Sequence, residues 1–200
     1  MRKSKIEAAQ WAAELLKTQF LILDTETTGL DRTSEICSIS VIDQTGAVLL
    51  DTLVKPINTI PQAATDVHGI TANMLVDAPG WEQVARRLLP IISGRKVIIY
   101  NAVYDRKLMH QSAEACGIQK IDWKTLATFD CAMEMYSQFY GDWNDYHGSY
   151  RWQRLTAACF QLGIDENMIT APAHSALGDC LRTLAVIKGM ARWYEDTEHA

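Results

Sequence analysis

FLILDTETTGL occupies residues 20–30. Its apolar run, Phe20, Leu21, Ile22 and Leu23, predicts a buried strand that leads straight into Asp24, with Glu26 two residues on. On a strand, residues i and i+2 share a face, so the two carboxylates project together. Buried carboxylates are costly unless something compensates them. Two so close repel, and one takes up a proton unless a cation neutralises them. Hard divalent cations with oxygen ligands, Mg2+ or Mn2+, fit this arrangement. An Asp-x-Glu pair alone is common and usually solvated, so the question becomes which other residues could join it.

Two further segments offer candidates. In VIIYNAVYD a β-branched run leads to Asn101 and then to Asp105 at the start of a helical pattern. Helix N-termini favour negative charge, so N-capping is the ordinary reading of Asp105 taken alone. In HSALGD, His174 precedes Asp179 by five residues, about 140° apart on an ideal helix. They converge only if His174 lies in the loop after Pro172 and Asp179 lies inside the helix. Histidine suits proton transfer near neutral pH.

Residues 35–43 and 47–54 read as two more strands, joined by the turn signal Gln44-Thr45-Gly46. Pro56 and Pro61 mark an irregular stretch. Residues 81–92, 105–116, 132–139, 151–162 and 175–194 have helical spacing, and Gly117 and Gly163 close two of them. Residues 96–100 predict a core strand, a further strand falls near residues 126–129, and residues 140–150 look like a loop. Three early strands followed by alternating helices and strands predict an α/β fold, a mixed sheet with helices packed on it. Residues 1–19 predict an amphipathic helix with Ile6, Ala9, Ala13 and Leu16 on one face, ahead of a single domain over residues 20–195.

The bulk numbers, 200 residues with 48% hydrophobic and 22% charged, describe an ordinary globular chain without low complexity or repeats. A net charge of −5 argues against a generic electrostatic nucleic-acid binder but allows a local acidic metal site. Cys37, Cys116, Cys131, Cys159 and Cys180 are odd in number and lack CxxC spacing. Free thiols in a reducing cytoplasm are the simplest reading, and a cysteine zinc site is not indicated. No apolar run approaches a membrane span, and Glu7, Gln10, Glu14 and Lys17 interrupt what would be the core of a signal peptide.

Taken in order, Asp24-x-Glu26, Asn101-x-x-x-Asp105 and His174-x-x-x-x-Asp179 resemble the three signatures of the DEDDh (DnaQ-like) exonucleases, the group that includes the proofreading subunit of bacterial DNA polymerase III and exodeoxyribonuclease X. VHGITANML, residues 67–75, is similar to the segment that lies between the first two signatures. Tyr104 departs from the phenylalanine usual before the second acid. The resemblance implies a ribonuclease H-like fold with a mixed five-stranded sheet flanked by helices. It also implies metal-dependent hydrolysis of nucleic acid from the 3′ end to nucleoside 5′-monophosphates, with two Mg2+ ions about 4 Å apart, for which Mn2+ can substitute.

By that resemblance Asp24 bridges both ions, Glu26 and Asp179 complete one site, Asp105 helps hold the second, and His174 takes the proton from the attacking water. Thr27 and the backbone at Glu26 bind the terminal 3′-hydroxyl, Leu30 wedges against the terminal base, His68 and Ile70 line the same pocket, and Asn101 sits near the phosphate. The implied partners are a nucleic acid with a free 3′ end, expected to be DNA, and a polymerase or repair complex; no membrane is implied. An RNA-trimming exonuclease is the alternative, because the acids do not sense the 2′-hydroxyl. The intact acid set argues against a non-catalytic binding module, and the His174–Asp179 motif argues against an endonuclease. Residues 122–152 hold Trp123, Trp143, Trp152, Tyr136, Tyr140, Tyr146 and Tyr150. With Arg151 and Arg154 they could form a stacking platform for single strands, or Trp123 and Trp152 could be core or interface residues.

Overall fold

The computed structural model describes residues 2–118 and 121–198, with side chains from residue 5 onward, so the N-terminal basic side chains Arg2 and Lys3 lie outside the described residues. Helix α1 (Arg2–Leu15) precedes β1 (Leu21–Thr27), β2 (Ile36–Asp43) and β3 (Val48–Leu53). The three strands form an antiparallel meander, and β4 (Lys96–Ile99) and β5 (Thr128–Cys131) add in parallel beside β1. The result is the expected mixed five-stranded sheet, in the order β3-β2-β1-β4-β5.

Alternation along β1 assigns its side chains to two layers. Leu21 and Leu23 enter a core shared with α3 (Trp81–Ile92) and α4 (Ala102–Ala115), whereas Ile22 enters a second core shared with α1 and three later helices. Short α2 (Gln62–His68) sits between β3 and α3, and α5 (Trp123–Leu126) precedes β5. The second layer comprises α6 (Ala132–Tyr140), α7 (Leu155–Gln161) and α8 (Ala176–Glu198). The strand carrying both acids therefore lies at the centre of the sheet, between the helix that carries Asp105 and the helix that carries Asp179.

Several elements differ from the expectation, each for a local reason. Residues 140–150 are not a plain loop: β6 (Trp143–Asn144) pairs with β7 (Ser149–Tyr150). The Asn144 carboxamide oxygen accepts from the N–H groups of Tyr146 and His147, and Gly148 takes φ 61°, which closes the turn. The next helix starts at Leu155 rather than at residue 151 because the Arg151 N–H continues the ladder to the Asp142 carbonyl. Asp122 caps the N–H of Lys124, which winds residues 123–126 into α5 and delays the strand to Thr128. The irregular stretch after Pro56 contains α2, stopped by Gly69 at φ 74°, and a 3-10 turn at Ala72–Leu75.

On α1 the buried stripe is Ala8, Ala9, Ala12, Ala13 and Leu15, while Ile6 is 45% exposed. The small alanines let α1 lie close against α8 and α6. No described helix is long and apolar enough to cross a membrane.

Candidate active site

Asp24 and Glu26 follow Ile22 on the face of β1 that looks toward α8. There they meet Asp179, in the first turn of α8. Ligand oxygens of Asp24, Glu26 and Asp179 all lie within 4.8 Å of one another. Neither Asp24 nor Glu26 accepts a hydrogen bond from the described residues. Burial, followed by repulsion from neighbouring carboxylates, raises the Asp24 carboxyl well above its usual range. The same two causes push Glu26 from its ordinary 4.5 up to about 8. Burial also raises Asp179, although Arg182 and His174 oppose the shift.

Asp105 arrives from the other layer. It is not the N-cap of its helix; Asn101 holds that position, and Asp105 lies in the first turn, 4% exposed. Thr25, on the α4 side of β1, donates its hydroxyl to Asp105 Oδ1 at 2.7 Å. Burial raises Asp105 to about 7 despite that bond. Asp105 stands outside the triad of oxygens because its helix packs on the opposite face. The fourth acid thus borders the cluster rather than joining it.

His174 lies in the turn before α8 and is exposed, with φ 56°, a left-handed conformation uncommon for a side chain of this kind. Its backbone N–H donates to Asp179 Oδ1 at 3.3 Å. Two residues that sequence reasoning passed over hold this turn. Arg182, 3% exposed, donates to the carbonyls of Ala171 (3.4 Å) and Pro172 (3.2 Å) and forms a two-pronged pair with Glu166. Gly178 has no room for a side chain, since a Cβ there would fall 1.9 Å from the Pro172 carbonyl oxygen. A glycine inside a helical pattern was the available signal for that close approach. Arg182 gave no signal, because its partners are set by tertiary contact.

The expected 3′-end residues spread around the mouth of the site. Leu30 is 80% exposed. The Thr27 hydroxyl donates to the Gly29 carbonyl at 3.0 Å and lies 3.0 Å from the Tyr104 hydroxyl, which itself donates to Gly29 at 2.6 Å. Tyr104, the departure from phenylalanine, thereby ties the segment after β1 to α4. His68 Nδ1 accepts the Ile70 N–H, so Nε2 carries the hydrogen aimed at the Thr27 carbonyl, 3.3 Å away. Burial lowers the His68 pKa and favours this neutral form. Ile70 is 6% exposed and packs with Cys37 and Leu75, so its bulk serves a small core cluster instead of an open pocket. Asn101 is partly buried at the head of α4.

The exonuclease family model, of the RNase T type, matches residues 21–187. The chain is 35% identical over 186 residues to an uncharacterized exonuclease of Escherichia phage 186, covering 92% of this chain and 94% of that protein. It is 30% identical over 173 residues to the DNA polymerase III epsilon subunit of Pasteurella multocida, covering 81% of this chain and 64% of that one. In fold it is similar to exonuclease X in complex with 5′ overhanging duplex DNA, with a TM-score of 0.63 at 23% identity, covering 86% of this chain and 92% of that one. An E. coli exonuclease I–single-stranded DNA complex gives a TM-score of 0.69 at 17% identity, covering 90% of this chain and 42% of that one. With the acids of all three signatures at one end of the sheet, the chain belongs to the RNase T-type exonuclease family, the DEDDh group of 3′–5′ exonucleases.

Proposed function

We propose that this chain removes nucleotides from the 3′ end of DNA, using two Mg2+ ions and His174 as general base. The observation that carries the reading is the convergence of Asp24, Glu26 and Asp179 within 4.8 Å, half-buried, with no hydrogen-bond donor on Asp24 or Glu26 among the described residues. That donor set, all carboxylate oxygen, fits a hard divalent cation. Asp24, Glu26 and Asp179 would hold the metal, with Asp105 contributing from the α4 side. A divalent ion bound there supplies a water acidic enough to react near neutral pH and positive charge against the departing 3′-oxygen.

The chain's own groups do the rest. His174, exposed on its turn and tied through its backbone to Asp179, takes the proton of the attacking water. The backbone at Glu26 and Thr27 receives the terminal 3′-hydroxyl, and Leu30 lies against the last base. His68 acts through the Thr27 carbonyl, as a positioning residue. Asn101 lies beside the phosphate. Apolar contact with the base tolerates any sequence, so little base preference is expected. Residues 20–195 would form the exonuclease unit, with helix α1 (Arg2–Leu15) packed on it. Relatives that are polymerase III subunits support a polymerase or repair partner and a cytoplasmic setting.

The test is digestion of 5′-labelled oligonucleotides, DNA and RNA, single- and double-stranded, with Mg2+, Mn2+ or EDTA. A ladder shortening from the 3′ end of DNA, abolished by EDTA, is expected. Preferential shortening of RNA would transfer the reading to RNA trimming. Absence of any metal-dependent shortening would contradict it.

A further inference from the structure

Large apolar side chains grouped on one exposed surface often mark an interaction site. In the β6–β7 hairpin and the segment that leaves it, Tyr146 is 90% exposed, Trp152 70% and Trp143 39%. The rest of the aromatic segment behaves differently: Trp123 and Tyr136 are each 1% exposed and belong to the two cores. The two readings of this segment therefore divide by position, with Trp123 in the core and Trp152 outside it.

The hairpin is built to hold its rings still. Trp143 and Tyr150 face each other across the ladder with ring centroids 5.0 Å apart, edge to face. The Asn144 turn and Gly148 fix the tip. β7 packs on α6. The Tyr100 hydroxyl donates to the Gln153 carbonyl at 2.9 Å, which anchors the segment that leaves the hairpin.

That anchor sets the direction. β1 and β4 run parallel with Leu21 opposite Val97 and Ile22 opposite Ile98, so Tyr100 follows on β4 at the level of Asp24. Tyr100 packs in the same layer as Ile22 and α8, the layer toward which Asp24 and Glu26 point. Trp152 adjoins Gln153 and so lies on the same side of the sheet as Asp24. Arg151 and Arg154 flank it. Among the described residues Arg151 makes one loose ionic contact, 3.8 Å from Asp142, and Arg154 makes none. Exposed rings beside cations, on a preformed hairpin on the acid cluster's side of the sheet, match the stacking and charge pattern that holds single-stranded nucleic acid.

We propose that the hairpin is a single-strand platform: Tyr146 and Trp152 stack on bases a few nucleotides upstream of the cleaved end, and Arg151 and Arg154 meet their phosphates. This rests on the exonuclease reading above, but its test does not. Binding of 5′-fluorescein-labelled (dT)16 in EDTA, where nothing is hydrolysed, is measured by anisotropy for the wild type and for the Tyr146→Ala/Trp152→Ala double variant. These rings are exposed, so the fold should survive their loss.

Affinity should fall at least about tenfold. Trp152→Phe, which keeps a ring, should restore most of the loss in the Trp152→Ala single variant. Binding of a blunt duplex, whose bases are already stacked, should change far less. Hydrolysis of the p-nitrophenyl ester of thymidine 5′-monophosphate with Mg2+, a substrate too short to reach the hairpin, should be unchanged. Equal (dT)16 affinity in both proteins overturns the proposal and leaves the surface to a protein partner. A matching loss on the ester overturns it too, because the hairpin would then merely support the site. An ester untouched by the wild type sinks the exonuclease reading instead, while the binding arm still judges the platform.

Discussion

Glu35 and Glu26 lie on segments joined by the pairing of β1 with β2, and both carboxylates are withdrawn from water. Their surroundings are opposite. Glu35, 2% exposed, accepts from the N–H groups of Ile57 and Asn58 and from the Asn58 side chain, each at 2.8 Å. Glu26 faces Asp179 and Asp105 and accepts no hydrogen bond from the described residues. The first acid ties the loop after β3 to the start of β2. The second is held in a place where, without a cation, it is driven to keep its proton. A buried acid with donors holds structure together, whereas an acid among other acids keeps its proton unless a cation compensates it.

Substitutions should separate the two kinds of acid. Asp24→Asn should lower metal-dependent turnover at least about 10³-fold while the fold survives, because removing a charge relieves repulsion. Turnover near the wild-type value would end the site assignment. His174→Ala should cost at least about 10²-fold in kcat near neutral pH, with Mn2+ binding retained. A fully active variant would remove its role as base.

Glu35→Ala should do the reverse. It removes three hydrogen bonds to a buried carboxylate and should cost about 2–3 kcal/mol of stability, seen in denaturant melts, while kcat of the folded protein stays within about threefold. An effect on kcat without one on stability would erase the contrast.

The pH dependence of stability follows from the raised acids. In EDTA, the folded protein keeps protons on Glu26 (about 8) and Asp105 (about 7) that the unfolded chain releases near their ordinary values of 4.5 and 3.8. Above those ordinary values the folded state binds more protons than the unfolded one, so stability must fall as pH rises. The melting temperature should drop by about 5 °C or more between pH 5 and pH 8 in EDTA and level off above that. Glu26→Gln should flatten the slope, and saturating Mg2+ should offset it; a flat wild-type profile in EDTA would contradict the burial argument. The smallest effect belongs to Tyr104→Phe. Losing its bonds to Gly29 and Thr27 should raise KM for DNA about threefold at constant kcat and cost about 1 kcal/mol of stability.

Signals written along the chain were legible without coordinates. The apolar run into Asp24, the hairpin turn at residues 44–46 and the order of the three signatures led to the sheet and to the acids. Contacts between distant segments were not. Thr25 donates to Asp105 across 80 residues, and Glu35 finds its donors 22 and 23 residues on. Neither choice of partner leaves a local pattern. The separation of Asp105 from the other three acids also depends on which layer each helix occupies, and strand periodicity alone leaves that open. The hairpin at residues 143–150 was missed for another reason. Its strands are two residues each, too short for alternation to register.

On the proposed reading, the Asp24, Glu26 and Asp179 cluster is a divalent-cation site kept partly protonated until the metal arrives. Calorimetric titration of Mn2+ at pH 7 in two buffers of different ionisation enthalpy tests it most directly. Binding should be saturable and release about one proton per protein, and Asp24→Asn should lose it. Binding without proton release, or binding that survives Asp24→Asn unchanged, would contradict it.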